Sequence, residues 1–140
     1  MAEKVRNAMT ENPRTVGADT TIVEAARALR DEDAGILPVV EGGRLEGVVT
    51  DRDVVVRVVA EGRDPNEARV RDAMSERLVT IDPDQEIDEA MRLMSEHQVR
   101  RLPVCEEDGR LVGVLAQADV AAESRDHAVG ETVERISRER

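Results

Sequence analysis

Apolar residues along this chain alternate between strand-like and helix-like spacing, and the order of the changes is run through twice. Thr15-Val16, after Pro13, opens a short extended segment. Ile22, Ala25, Ala26 and Leu29 then recur at helical spacing behind Asp19, Thr20 and Thr21, with Glu24 in capping-box position to Thr21. Ile36-Leu37-Pro38-Val39-Val40 has strand character; Pro38 has no N–H to donate, which predicts a sheet edge or a strand end. Glu41-Gly42-Gly43-Arg44 is a turn and Leu45-Glu46-Gly47-Val48-Val49 a returning strand, so the pair predicts a hairpin.

The second pass gives the same order. Leu78-Val79-Thr80-Ile81 is extended, Pro83-Asp84 opens a helix carrying Ile87, Ala90, Met91 and Met94, and a hairpin runs from Leu102 through Glu107-Asp108-Gly109-Arg110 to Leu115. The run Val54, Val55, Val56, Val58, Val59 is β-branched and favours a strand on propensity. Its carboxylate-rich start, Thr50-Asp51-Arg52-Asp53, and its helix-compatible counterpart, Asp119-Val120-Ala121-Ala122-Glu123, predict a helix instead. Each unit therefore reads strand, helix, strand, strand, helix.

The resemblance between the passes extends to residue identity. Val5-Arg6-Asn7-Ala8-Met9-Thr10 returns as Val70-Arg71-Asp72-Ala73-Met74-Ser75, and Leu37-Pro38-Val39-Val40-Glu41 as Leu102-Pro103-Val104-Cys105-Glu106, both at an offset of 65. Gly43 to Val49 returns as Gly109 to Leu115 at an offset of 66, one residue having entered a turn. Two copies do not make a solenoid, which needs about three or more stacked units. The expected organisation is repeat one over 1–62, a linker over 63–69 marked by the turn residues Gly62-Arg63-Asp64-Pro65-Asn66 at the junction, repeat two over 70–124, and an amphipathic tail helix over 125–140 built on Val129, Val133 and Ile136.

Composition narrows the function. At 140 residues the chain holds two half-sized units that must share their packing, since a unit of roughly 60 residues is marginal alone. A net charge of −11 opposes binding to nucleic acid or to an anionic membrane, and the absence of Phe, Trp and Tyr removes any aromatic platform for bases. The single cysteine, Cys105, stands where the first copy has Val40, which predicts a buried apolar role and fits a reducing cytoplasm. No apolar run approaches the ~20 residues of a membrane span, and the start lacks a secretory apolar stretch. His97 and His127 lie far apart beside one cysteine, so no metal set emerges. No nucleophile–base constellation and no Walker-type loop appear, so the expectation is not an enzyme.

Two segments remain for chemistry. Gly47-Val48-Val49-Thr50-Asp51-Arg52-Asp53 joins a strand to a helix; free backbone N–H groups and the Thr50 hydroxyl suit a phosphate, and the Asp53 carboxylate suits two ribose hydroxyls. Thr50 and Asp53 also fit a capping box in which both side chains only satisfy backbone donors. In the second copy Thr50 becomes Ala116 while Asp119 is kept, which weighs toward function for Asp53 and leaves Asp119 open. Arg100-Arg101 replaces Gly35-Ile36 of the first copy; the pair either binds phosphate oxygens or is a solvated surface pair.

The ordered set of Val-Arg-Asn/Asp-Ala-Met, the hydrophobic strands at Pro38 and Pro103, and Gly47-x-x-Thr50-x-x-Asp53 resembles a pair of CBS domains, the module called a Bateman domain, over about residues 3–124. Thr50-Asp51-Arg52-Asp53, Asp64-Pro65-Asn66 and His97 to Val104 are similar to stand-alone actinobacterial CBS-pair proteins of the hypoxic-response type. The resemblance implies an α/β (α+β) fold of two tandem β-α-β-β-α repeats packed through their sheets with pseudo-two-fold symmetry and adenosine-ligand clefts between them. It implies that Thr50 and Asp53 contact phosphate and ribose, that Thr80 of the opposite copy joins them, that Arg100 and Arg101 reach phosphates, and that adenine lies near Pro103. A second cleft maps to Thr15, Pro38 and Asp119, weakened by Ala116. The expected function is a non-enzymatic cytoplasmic regulatory module, requiring no cofactor, that senses AMP, ADP, ATP, NAD or S-adenosylmethionine and pairs as a homodimer through its helices. The alternative is a ligand-free structural or adaptor homodimer that binds an as yet unknown partner protein.

Overall fold

The computed structural model describes residues 3–122; the tail expected over 125–140 lies outside them. Helix α1 (Ile22–Glu32) starts as expected, with the Thr21 hydroxyl accepting from the Glu24 N–H at 3.3 Å, and stops at Asp33 in the left-handed region. Its repeat, α3 (Ile87–His97), stops at Gln98 in the same conformation. α3 begins four residues later than Pro83 suggested, because the Asp82 carboxylate accepts from the Asp84 N–H at 2.8 Å and ties residues 82–85 into a turn.

The hairpins form as predicted. β2 (Ile36–Glu41) pairs antiparallel with β3 (Arg44–Thr50), and β4 (Arg101–Cys105) with β5 (Leu111–Ala116). Register slips at matching places, between Val39 and Val40 and between Val104 and Cys105. Pro38 and Pro103 lie within their strands rather than at the ends. The outer edge beyond each strand is only a single bridge long: Val16 donates to Pro38 O and Ile81 to Pro103 O, both at 3.1 Å. N–H and C=O of one residue point to the same side of a strand, so each proline's missing donor faces this short edge and costs no ladder bond.

The opening segment of each copy crosses to the other half. Val5 is fully buried with Ile81, Ile87, Leu102 and Leu115, whereas Val70 and Ala73 are fully buried with Ile22, Leu37, Val39 and Val49. Reciprocal backbone bonds hold the exchange: Val5 N–H to Gln85 O at 2.9 Å and Val70 N–H to Thr20 O at 2.8 Å, Ile87 N–H to Glu3 O and Ile22 N–H to Ala68 O, both at 2.9 Å. β1 (Thr10–Glu11) then adds to β5, as Ser75 adds to β3 opposite Val48. The hairpin tips meet as well, with Leu45 N–H to Gly109 O and Leu111 N–H to Gly43 O at 3.0 Å. Each of these bonds has its repeat-related twin, which is the pseudo-two-fold axis written in hydrogen bonds.

The valine-rich segment is helical, but only its first turn is α: α2 (Asp51–Val54) passes into π-helix over Val55–Val59. Val58 is buried while Val55, Val56 and Val59 are 56%, 45% and 61% exposed. Arg57 reaches from this turn to the carbonyls of Ala73 and Met74 at 3.1 and 3.2 Å, holding the crossed segment. Among the described residues no helix is long and apolar enough to cross a membrane.

Candidate functional site

The strand-to-helix junctions come first, since the motif residues sit there. Thr50 Oγ1 accepts from the Asp53 N–H at 3.0 Å and the Asp53 carboxylate accepts from the Thr50 N–H at 2.9 Å, so the capping box is complete. In the second copy the Asp119 carboxylate accepts from the Ala116 N–H at 3.0 Å. The acid that survives loss of the threonine therefore has a backbone reason to be there, a reason that comparison of the two repeats by sequence does not supply.

Just beyond these junctions the halves face each other. The Asp51 N–H donates to Gly35 O at 3.1 Å, and its twin, the Gln117 N–H, to Arg100 O at 2.8 Å. Between them runs a groove of about 780 Å³ lined by, among others, Arg30, Asp33, Asp51, Arg100 and Arg101. Arg30 is held by Asp31 at 2.9 Å. The side chains of Arg100 and Arg101 have no carboxylate partner among the described residues. Asp33 and Asp51 share the groove, so its field is mixed, with the unpaired cations on the repeat-two side.

The other expected residues are distributed unevenly. A cavity of about 330 Å³ holds Pro38 and Asp119 with Arg14, Ala116 and, again, Arg101. Thr15, half-buried, precedes the bridging Val16 and does not line it. Thr80 instead lines a separate cavity of about 390 Å³ with Asp82, Glu106 and Cys105, at the far end of the hairpin. Thr50, Asp53 and Pro103 line none of these three spaces. The structure thus brings Arg100 and Arg101 together in one groove and Pro38, Asp119 and Arg101 in the adjoining cavity, and keeps Thr80 apart from the arginine pair.

Sequence reasoning passed over Ala34 and Ala118, and read Ala116 only as a lost hydroxyl rather than as room. Ala34, Ala116 and Ala118 line both the groove and the Asp119 cavity. Their counterparts in the other copy are Val99, Thr50 and Arg52, a contrast visible once the repeats are aligned by size rather than by polarity. Burial pushes the Cys105 thiol up to about 11, which leaves it protonated and inert. Among the described residues no group of three or more His, Cys, Asp or Glu is arranged to hold a metal ion.

Known proteins share this architecture. The CBS domain model matches residues 5–60 and again 70–126. Hypoxic response protein 1 of Mycobacterium tuberculosis is 38% identical over 132 residues, covering 94% of this chain and 92% of its own. The crystal structure of Hypoxic Response Protein I with two coordinated zinc ions superposes with a TM-score of 0.78 at 38% identity, covering 85% of this chain and 97% of that one. The crystal structure of CBSX2 in complex with AMP superposes with a TM-score of 0.79 at 26% identity, over 90% of this chain and 98% of that one. With the motif set twice in sequence, the exchange of opening segments and both copies matched, the chain belongs to the CBS domain family as a tandem pair.

Proposed function

We propose that this chain is a non-enzymatic regulatory module that binds an adenine nucleotide between its two CBS copies and answers by a change of conformation or assembly. The observation that carries the reading is the pair Arg100 and Arg101, two guanidiniums lining one groove without a carboxylate partner among the described residues of a chain of net charge −11. Acidic residues are abundant among the described residues, yet none of those pairs them; an incoming phosphate makes charge-assisted, bidentate bonds there. The AMP complex of the structurally similar CBSX2 supports adenine as the base. Without Phe, Trp or Tyr, adenine is seated on aliphatic side chains and backbone. A ligand moves a conformational equilibrium only by its differential affinity for the two states, so binding and response are measured separately.

The test is calorimetric titration with AMP, ADP, ATP, NAD and S-adenosylmethionine beside thermal melting. At least one compound gives heat and raises Tm, because a ligand of the native state stabilises it. Silence from all five ends the nucleotide reading. Arg100→Ala weakens AMP more than adenosine; equal losses remove Arg100 from phosphate binding. A cheap companion measurement exploits composition: lacking aromatic residues, the purified protein has almost no near-ultraviolet absorbance of its own, so a purine band reports co-purified ligand.

A second reading rests on Val55, Val56 and Val59, exposed together on one helical turn. Such an apolar patch suits burial against a second copy, giving a structural or adaptor homodimer that needs no ligand. Sedimentation of wild type against Val55→Asp with Val59→Asp decides it: a dimer that falls to monomer supports the patch, and an unchanged sedimentation coefficient removes it.

A further inference from the structure

We infer that the C-terminal tail of this chain seats Val129, Val133 and Ile136 in cis on an apolar groove beside α3. The inference is independent of the nucleotide reading and concerns a different surface. It follows from the lining of the groove, from the place where the tail begins and from the spacing of the tail's apolar residues.

The groove holds about 590 Å³ and lies between α3 and the helix over 117–122. Met91, Met94, Val99, Val120 and Ala121 line it with Ser95 and Gln117, and no charged side chain is among these described residues. The three spaces described above all carry charged groups. Met91, 49% exposed, is a large apolar side chain left to solvent in a chain that is 36% charged. The apolar lining is particular to this half: Met91, Ser95 and Gln117 stand where the first copy has Ala26, Arg30 and Asp51, which line the central groove. A polar ligand finds no charge to meet here, whereas an apolar one gains by leaving water.

The chain carries such an occupant. Val129, Val133 and Ile136 share one helical face, with Glu131, Glu134, Arg135 and Arg138 off it. A tail over 125–140 with Gly130 inside it is marginal as a helix on its own, so the stripe needs a surface to bury it. The tail leaves from the wall of the groove itself, directly after Ala121 and Ala122, and the stretch from there to Val129 spans at most about 25 Å. Tethering gives it an effective concentration that a free partner lacks. In an unbroken helix Val129 would fall about 180° round from Val120 and face away from the groove. The chain therefore turns first, and Ser124 and Asp126 are suited to cap the helix that restarts.

Methionine methyl resonances test the seating, since Met91 and Met94 line the groove while Met9 and Met74 sit against Gly113 and Gly47. In full-length protein labelled with methyl-13C-methionine, Val133→Asp combined with Ile136→Asp shifts the Met91 and Met94 resonances and leaves those of Met9 and Met74 in place. Arg135→Ala, off the stripe, moves none of the four. Unmoved Met91 and Met94 in the double variant overturn the inference, and so does an equal movement with Arg135→Ala. Unlabelled wild type added to the labelled double variant leaves Met91 and Met94 shifted. Their return to wild-type positions means that a second copy's tail fills the groove, which overturns seating in cis. If the double variant loses its helical circular dichroism, Val133→Ala, which removes two methyl groups and adds no charge, is read by the same criteria.

Discussion

Gly47 and Gly113 owe their identity to the crossed segments rather than to any ligand. A Cβ on Gly47 would stand 2.6 Å from the Ser75 carbonyl oxygen, and one on Gly113 2.8 Å from that of Thr10 and 2.7 Å from Met9 sulfur. The obstacle at Gly47 is backbone in a two-bond bridge, with Val48 N–H to Ser75 O at 3.0 Å and Ser75 N–H to Val48 O at 2.8 Å, so the clash is relieved only by parting the strands. Gly47→Ala therefore costs about 1–3 kcal/mol, read as a lower urea midpoint; an unchanged midpoint defeats the close-approach argument. Cys105 is the other case where one residue's surroundings decide its chemistry. It is 9% exposed and its thiol is pushed up to about 11, so an Ellman reagent near pH 8 leaves the native protein unlabelled and finds one thiol per chain after denaturation. Rapid labelling of the folded protein contradicts the buried, protonated thiol.

Helices α1 and α3 end alike, on Asp33 and Gln98 with φ of 48° and 53°. Side chains there carry a steric penalty that glycine escapes, and the gain outweighs the extra freedom glycine has when unfolded. Gln98→Gly is expected to stabilise by about 1 kcal/mol, a rise of roughly 2–4 °C in Tm; a fall shows that the Gln98 side chain contributes more than its backbone costs. At this scale most of the structure was legible, because strand and helix periods are properties of contiguous residues. Ile22 to Leu29 and the turn at Gly42-Gly43 declare themselves without help. The departures all trace to partners remote in sequence. Pro38 is tolerated inside β2 because of where Val16 ends, and Ala118 matters because of the space opposite Ile36, neither of which local pattern records. The π-helical turn follows the same rule: five valines on a short segment resist tight α packing, and Arg57, bound to Ala73 and Met74, fixes how the segment lies.

For the whole molecule the repeat in sequence and the unit that packs are offset from each other. Val5 and Val70 are each buried in the core of the half to which they do not belong by sequence, and the ion pairs of their neighbours cross in the same sense, Arg6 to Asp84 at 2.7 Å and Arg71 to Asp19. The Arg6 guanidinium holds the Asp84 carboxyl below its usual range, so its contribution is present above about pH 4 and is lost as pH falls through the depressed folded value. Both partners are exposed, which keeps that contribution small and sensitive to salt. Hydrophobic exchange carries more: a piece comprising residues 1–62 keeps α1 and its hairpin but lacks Ala68, Val70 and Ala73, and exposes Val5 to no purpose. A piece of similar length comprising residues 12–76 contains the complete first cluster together with the Ser75 bridge and the Arg57 clamp. Burial is marginal in any unit of roughly 60 residues, so the loss of three core side chains and the Ser75 bridge decides the outcome. Fragment 12–76 is expected to show helical circular dichroism and a cooperative thermal transition, and fragment 1–62 neither. If 1–62 melts cooperatively at or above the temperature of 12–76, the sequence repeat is the folding unit and the exchanged valines are accessory to it.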